Sequence, residues 1–94
     1  MAIVVINNST SVTDVQGNQM VAAMNMALPA FCSDWSLPAY IAEYVPRGSN
    51  KAYPAKLKIF LLDSAPPSAG VLAYHSISGN TPYGNVYCLS LIHI

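Results

Sequence analysis

Hydrophobic and polar residues follow one another along the 94-residue chain in blocks that predict one long helix and five strands. The first block, Ile3-Val4-Val5-Ile6, is a continuous β-branched run, which is typical of a strand buried on both faces. The helix follows it, and further strand candidates lie at 39–45, 56–62, 71–75 and 85–89. The predicted order is therefore β-α-β-β-β-β.

The helical block carries both start signals and a signal for interruption. Two capping-box spacings overlap at its beginning, Ser11 with Asp14 and Thr13 with Gln16. Pro29 has no N–H and its ring displaces the carbonyl of the preceding turn, so we expect it to kink the helix or to begin a second helical segment. Apolar residues recur at steps of three and four, which predicts one buried face made of Val21, Met24, Leu28, Phe31 and Trp35.

The strand candidates after the helix differ in their predicted surroundings. Residues 39–45 alternate imperfectly, which indicates a strand exposed on one face, whereas 56–62 become continuously apolar, as a strand entering a core does. The last two flank a linker rich in Gly, Asn and Pro, which predicts a hairpin whose loop is too long to fix its register. Together these elements predict an α+β fold, a mixed sheet with the long helix packed on one face, in a single domain over residues 3–88.

The composition narrows the classes of partner. The chain is 53% hydrophobic and only 9% charged, where about a quarter is typical of soluble domains. We therefore expect apolar surface that favours self-association. The net charge is zero and no basic stripe is present, so nucleic acid is not an expected partner. No apolar run reaches the roughly 20 residues that span a bilayer, and the N-terminus lacks a basic secretory start. The sequence does not decide between two locations, the cytoplasm and a virion.

Residue types that carry chemistry are present but scattered. Cys32 and Cys88 do not form a metal-type pair and are expected to be half-buried thiols that behave as small hydrophobes. The alternative is a disulfide between them, which the lack of an export signal disfavours. His75 ends a strand beside the turn-rich linker; its alternatives are a site residue or, as the types of its neighbours favour, a histidine that bonds a backbone carbonyl or faces solvent. Ser76 points to the opposite side of that strand and cannot act as its nucleophile. Asp63 is expected to cap a loop. No metal-ligand spacing relates the remaining candidates, which are Asp14, Asp34 and Glu43.

Several short motifs resemble, in order and spacing, a family of uncharacterised, often phage- or virus-associated proteins with a zincin-like metallopeptidase pattern. The resemblance covers nearly all of residues 3–88. Its motifs are Val5-Ile6-Asn7-Asn8-Ser9-Thr10, Ala30-Phe31-Cys32-Ser33-Asp34-Trp35, Phe60-Leu61-Leu62-Asp63, Gly70-Val71-Leu72-Ala73-Tyr74-His75 and Pro82-Tyr83-Gly84-Asn85-Val86-Tyr87. In that family a Ser-His-Glu-x-x-Glu helix and an Asp-Pro pair follow the hairpin and hold the metal, and this sequence contains neither.

The resemblance implies the sheet-plus-helix part of a zincin-type peptidase, itself inactive, whose zinc would belong to the full-length parent rather than to this chain. It also implies that the strand from Val71 to His75 is an edge that pairs with an extended peptide through its main chain. The implied substrate-binding residues are Val71 and Ala73, with Tyr74 or His75 lining the cleft. The alternative is a small non-enzymatic module that pairs with a partner through the same exposed edge.

The last residues of the chain, 89–94, read LSLIHI, which is also the translation of a common transposase sequencing adapter. We therefore expect residues 89–94 to be a non-native tail, with native sequence ending near Cys88 and continuing differently in the parent. The alternative is an ordinary final strand, since Leu-Ser-Leu-Ile-His-Ile alternates acceptably.

Overall fold

The predicted element order and the α+β class are both confirmed. A computed structural model describes residues 3–49, 55–63, 73–77 and 82–89. Val71, most of the hairpin turn and residues 90–94 lie outside these ranges, so the predictions that fall on them stay predictions. The elements are β1 (Ile3–Asn7), α1 (Asp14–Asp34), β2 (Ala42–Val45), β3 (Leu57–Leu62), β4 (Ala73–Ser76) and β5 (Asn85–Leu89).

The strands form one mixed sheet in the order β2-β1-β3-β5-β4. β1 pairs in parallel with β2 and with β3, and β3 pairs in parallel with β5. β4 alone is antiparallel, and it pairs with β5. The predicted hairpin is therefore present, with its second strand inside the sheet and its first strand at the edge.

The core lies between α1 and the first half of the sheet. Val4 and Val5 are fully buried on opposite faces of β1, as expected for the central strand of a largely parallel sheet. On the helix side the buried cluster consists of Ile3, Val5, Val21, Ala42 and Leu61. Because α1 packs against β2 and β1, the helix covers the end of the sheet that β2 and β1 form.

The start of α1 follows one of the two predicted capping boxes. Thr13 is the N-cap: its side chain accepts from the Gln16 amide at 3.2 Å, and Gln16 Oε1 accepts from the Thr13 amide at 3.0 Å. The helix then continues through Pro29 without a break, so the expected second helical segment is wrong. Pro29 removes one helical hydrogen bond, and buried residues lie on either side of it in the helix, Val21 before it and Cys32 after it.

The buried face of α1 differs from the predicted face in its last turns. Val21 is buried and Met24 and Leu28 pack against the core, but Phe31 is 52% exposed and Trp35 is 69% exposed. Cys32, which is 3% exposed, takes the inward position instead, because it continues the stripe from Leu28 by a step of four. Phe31 and Trp35 contact each other on the outside, with ring centroids 6.3 Å apart.

β2 is shorter and better covered than its sequence predicts. It begins at Ala42, and the residues before it, 37–41, have no regular structure. Ala42 and Val45 lie on opposite faces and are both buried, so the expected exposed face is wrong. α1 covers the face that carries Ala42. Within the part of the chain that the structure describes, no helix is both long and apolar enough to cross a bilayer.

Candidate functional site

β4 is the outermost strand on one side of the sheet, and its only described strand neighbour is β5. Each residue of such a strand directs its main-chain N–H and C=O either toward the neighbour or away from it, in alternation along the strand. The hydrogen bonds between neighbouring strands determine which residues of β4 direct these groups outward.

The pairing of β3 with β5 fixes this alternation. The Lys58 amide donates to the Gly84 carbonyl at 3.2 Å, so Gly84 directs its carbonyl toward β3. Residues 86 and 88 repeat that direction because the alternation has a period of two. The main-chain groups of Asn85 and Tyr87 consequently face β4.

In the β4–β5 ladder Tyr87 is opposite Tyr74, and Asn85 is opposite Ser76. Tyr74 and Ser76 therefore direct their main-chain groups inward, to β5. Ala73 and His75 direct theirs outward, away from the sheet. The edge thus offers hydrogen-bonding groups at alternate residues, which is the arrangement that an added strand needs.

The His75 side chain is occupied by the adjacent turn. His75 Nε2 lies 2.6 Å from the Tyr83 carbonyl oxygen, and because a carbonyl can only accept, the ring donates from Nε2. The neutral ring therefore carries its proton on Nε2. His75 is exposed and bonds a backbone carbonyl, which is the alternative that the sequence favoured for its side chain.

Gly84 and Tyr83 fix the position of this turn against the sheet. Gly84 has φ +82° and lies so close to the Ser76 carbonyl that a Cβ would overlap it, so only glycine fits there. The Tyr83 amide donates to the Lys56 carbonyl at 2.8 Å. The Tyr83 hydroxyl lies 2.7 Å from that of Tyr40, and this hydrogen bond raises the pKa of Tyr40. The turn therefore ties β4 to β3 and to the segment after α1.

The opposite edge of the sheet, along β2, is organised differently. The Ile3 amide donates to the Ile41 carbonyl at 3.1 Å, so residues 41, 43 and 45 face β1 and Ala42 directs its groups outward. The Asn25 side chain on α1 bonds both main-chain groups of Ala42. Its Oδ1 accepts from the Ala42 amide at 2.8 Å, and its Nδ2 donates to the Ala42 carbonyl at 3.0 Å. Among the described residues, no side chain makes a comparable contact with the main chain of Ala73 or His75.

The residues considered as metal ligands do not converge. Within the described ranges, no three His, Cys, Asp or Glu side chains could hold one ion. Asp14 accepts from Tyr44, and burial raises the pKa of the Cys88 thiol, which disfavours the thiolate that a metal needs. The zinc that the resemblance implies for the full-length parent stays a prediction.

Asp63 caps a loop, as predicted. Its carboxylate accepts from the Ser9 hydroxyl at 2.6 Å, and from the Thr10 amide at 2.9 Å and the Thr10 hydroxyl at 2.6 Å. These bonds join the segments that follow β1 and β3. With its oxygens turned to these donors, Asp63 acts as a structural carboxylate.

Asn25 is a residue at a sheet edge that was not predicted from the sequence. Its signal was present, because Asn25 lies between Met24 and Leu28 on the side of the helix that packs against the core. A polar residue placed there needs a hydrogen-bond partner.

Comparison with known proteins adds no assignment: no family model, curated protein or solved structure matches this chain.

Proposed function

We propose that this chain binds extended peptide along the outer edge of β4, as the sheet portion of a metal-dependent peptidase. The observation that carries the proposal is the outward direction of the main-chain groups of Ala73 and His75. A peptide that adds as a strand exchanges hydrogen bonds with alternate residues and needs no particular side chain to do so. Of the four implied site residues, Ala73 and His75 serve through their main chains and Tyr74 belongs to the ladder with β5. Val71 lies outside the described residues.

The resemblance supports the peptidase part of the proposal, and the described edge supports the peptide-binding part. The two parts are separable, because fold and chemistry are separable. A non-enzymatic module that pairs with a partner through β4 is the second candidate function, because the outward main-chain groups of Ala73 and His75 would serve a partner strand equally well. A third candidate, a complete small enzyme that acts through His75 and Asp63, ranks below these two. We expect zinc titration of this chain to show no tight site, and a tight complex of one zinc per chain would restore the third candidate.

Binding is tested by adding a mixture of random-sequence, proline-free heptapeptides to the chain and following backbone amide shifts by NMR. The proposal expects the Ala73 and His75 amides to shift more than those of Tyr74 and Ser76, because the latter already donate to β5. Shifts that are equal along β4, or confined to another surface, would contradict it.

A matched pair of proline substitutions tests the alternation. Ala73→Pro removes an outward N–H and leaves the ladder with β5 intact, which edge strands tolerate. Tyr74→Pro removes an inward N–H and breaks the ladder. We expect Ala73→Pro to keep the fold and weaken peptide binding about fivefold, the effect of losing one hydrogen bond of about 1 kcal/mol. Tyr74→Pro should instead destabilise the fold.

A further inference from the structure

The side-chain amide of Asn25 takes the place of a neighbouring strand on β2. Its two hydrogen bonds, at 2.8 and 3.0 Å, go to the N–H and the C=O of the same residue, Ala42. That pair of groups is what a strand added outside β2 would use. Asn25 comes from the middle of α1, so its position is set by the same packing that buries Val21 and Ala42.

We propose that Asn25 closes the β2 edge against pairing with a second copy of this chain. β2 is the edge strand of the five-stranded sheet. An unprotected edge strand is a template on which another chain can pair. A second copy is the partner that fits, because two identical edges pair antiparallel around a two-fold axis and every copy carries one. The net charge of zero adds no long-range repulsion between copies.

The neighbourhood of Asn25 favours this partner further. Ile41, immediately before β2, is 57% exposed, and burial of such apolar surface would accompany edge pairing. The Asn25 amide engages both outward main-chain groups of Ala42. The inference concerns the β2 edge and stands whether or not β4 binds peptide.

Sedimentation velocity over a range of concentrations tests the proposal with Asn25→Ala and, as matched control, Asn18→Ala, an exposed asparagine on the same helix. Asn25→Ala should show a weight-average mass that rises with concentration toward that of a dimer of the wild-type species. Asn18→Ala should follow the wild type. Equal masses for all three at every concentration would overturn the proposal.

A second change tests whether such association uses β2. In Asn25→Ala/Ala42→Pro the proline ring occupies the space that the shortened side chain vacates, and the outward N–H is gone. The double variant should return to the mass of the wild type. Association that persists in the double variant would show that another surface is responsible and would overturn the proposal.

Hydrogen exchange in the wild-type chain provides a test that requires no variant to fold. Ala42 and Tyr44 both direct their amides outward from β2, but Asn25 accepts only from Ala42. The Ala42 amide should therefore exchange about fivefold or more slowly than the Tyr44 amide, as a hydrogen bond of about 1 kcal/mol predicts. Equal exchange rates would show that Asn25 does not close the edge.

Discussion

The ring of Tyr44 lies against the backbone of Gly17, so close that a Cβ on Gly17 would overlap the ring carbons. This contact joins the first turns of α1 to β2. The Tyr44 hydroxyl extends beyond it, accepting from Asn7 Nδ2 at 2.9 Å and donating to Asp14 at 2.7 Å. Gly17, which weakens a helix by its conformational freedom, is therefore the residue that allows β2, β1 and α1 to share one polar network.

Gly17→Ala should destabilise the fold by about 1–3 kcal/mol, the usual effect of overpacking, although alanine is the better helix former. The added methyl must displace the Tyr44 ring and with it both hydrogen bonds of the hydroxyl. Urea unfolding measures the change. Asn18→Ala is the control one residue along on the exposed side, where the introduction of alanine should leave stability equal or slightly higher. Equal stability of Gly17→Ala and the wild type would show that Tyr44 moves aside at no cost.

Tyr44→Phe isolates the hydroxyl from the ring. Asn7 is 1% exposed, so removal of its acceptor leaves a buried donor with one partner fewer, and this costs about 1–3 kcal/mol. Unfolding in urea at neutral pH checks the value.

The same hydroxyl predicts how stability changes at alkaline pH. Burial, followed by the hydrogen bond to Asp14, raises the pKa of Tyr44. Above the ordinary tyrosine pKa the unfolded chain loses this proton while the folded chain keeps it, so the folded state binds more protons and stability falls as pH rises. The stabilisation is complete below the unfolded pKa and is lost as pH passes through the folded one. Urea unfolding across this range should show a steeper decline for the wild type than for Tyr44→Phe, and parallel curves would contradict the prediction.

Periodicity in the sequence predicted the elements because burial imposes it locally. Val4 and Val5 reveal a two-sided strand, and Val21 and Leu28 reveal a helix face. The order of strands is a different kind of property. The hairpin of β4 and β5 could join β3 through either strand without changing any local pattern, and the sequence contains no signal that puts β5 inside.

The candidate site was predictable only to the extent that it uses main chain. The outward direction of the main-chain groups of Ala73 and His75 can be derived only when β5 is known to lie between β3 and β4. Asn25 was overlooked because its partner is the backbone of Ala42, which is distant in sequence and has no side-chain signature. Phe31 was assigned to the core because a step of three from Leu28 fits a helix face as well as the step of four to Cys32 does.

The end of α1 offers a stabilising substitution. Ser36 has φ +54°, a left-handed conformation that follows the C-cap residue Trp35, and the Leu37 amide closes the helix by donating to the Cys32 carbonyl at 2.8 Å. Glycine adopts this conformation without the cost of a Cβ. Ser36→Gly should therefore raise the free energy of unfolding by about 1 kcal/mol. Ser33→Gly, the same change inside the last helical turn, should lower it by about 0.5–1 kcal/mol.

His75→Ala separates the two roles that β4 combines at one residue. The substitution removes the hydrogen bond to the Tyr83 carbonyl and keeps the outward main-chain groups, so the turn should loosen while peptide binding persists. Because the side chain is exposed, we expect at most about 1 kcal/mol of lost stability. Faster amide exchange at Tyr83 and Gly84 should accompany it. Peptide affinity measured by the NMR titration should fall less than in Ala73→Pro. A larger fall in His75→Ala would assign binding to the imidazole and would remove the main chain of β4 as its principal source.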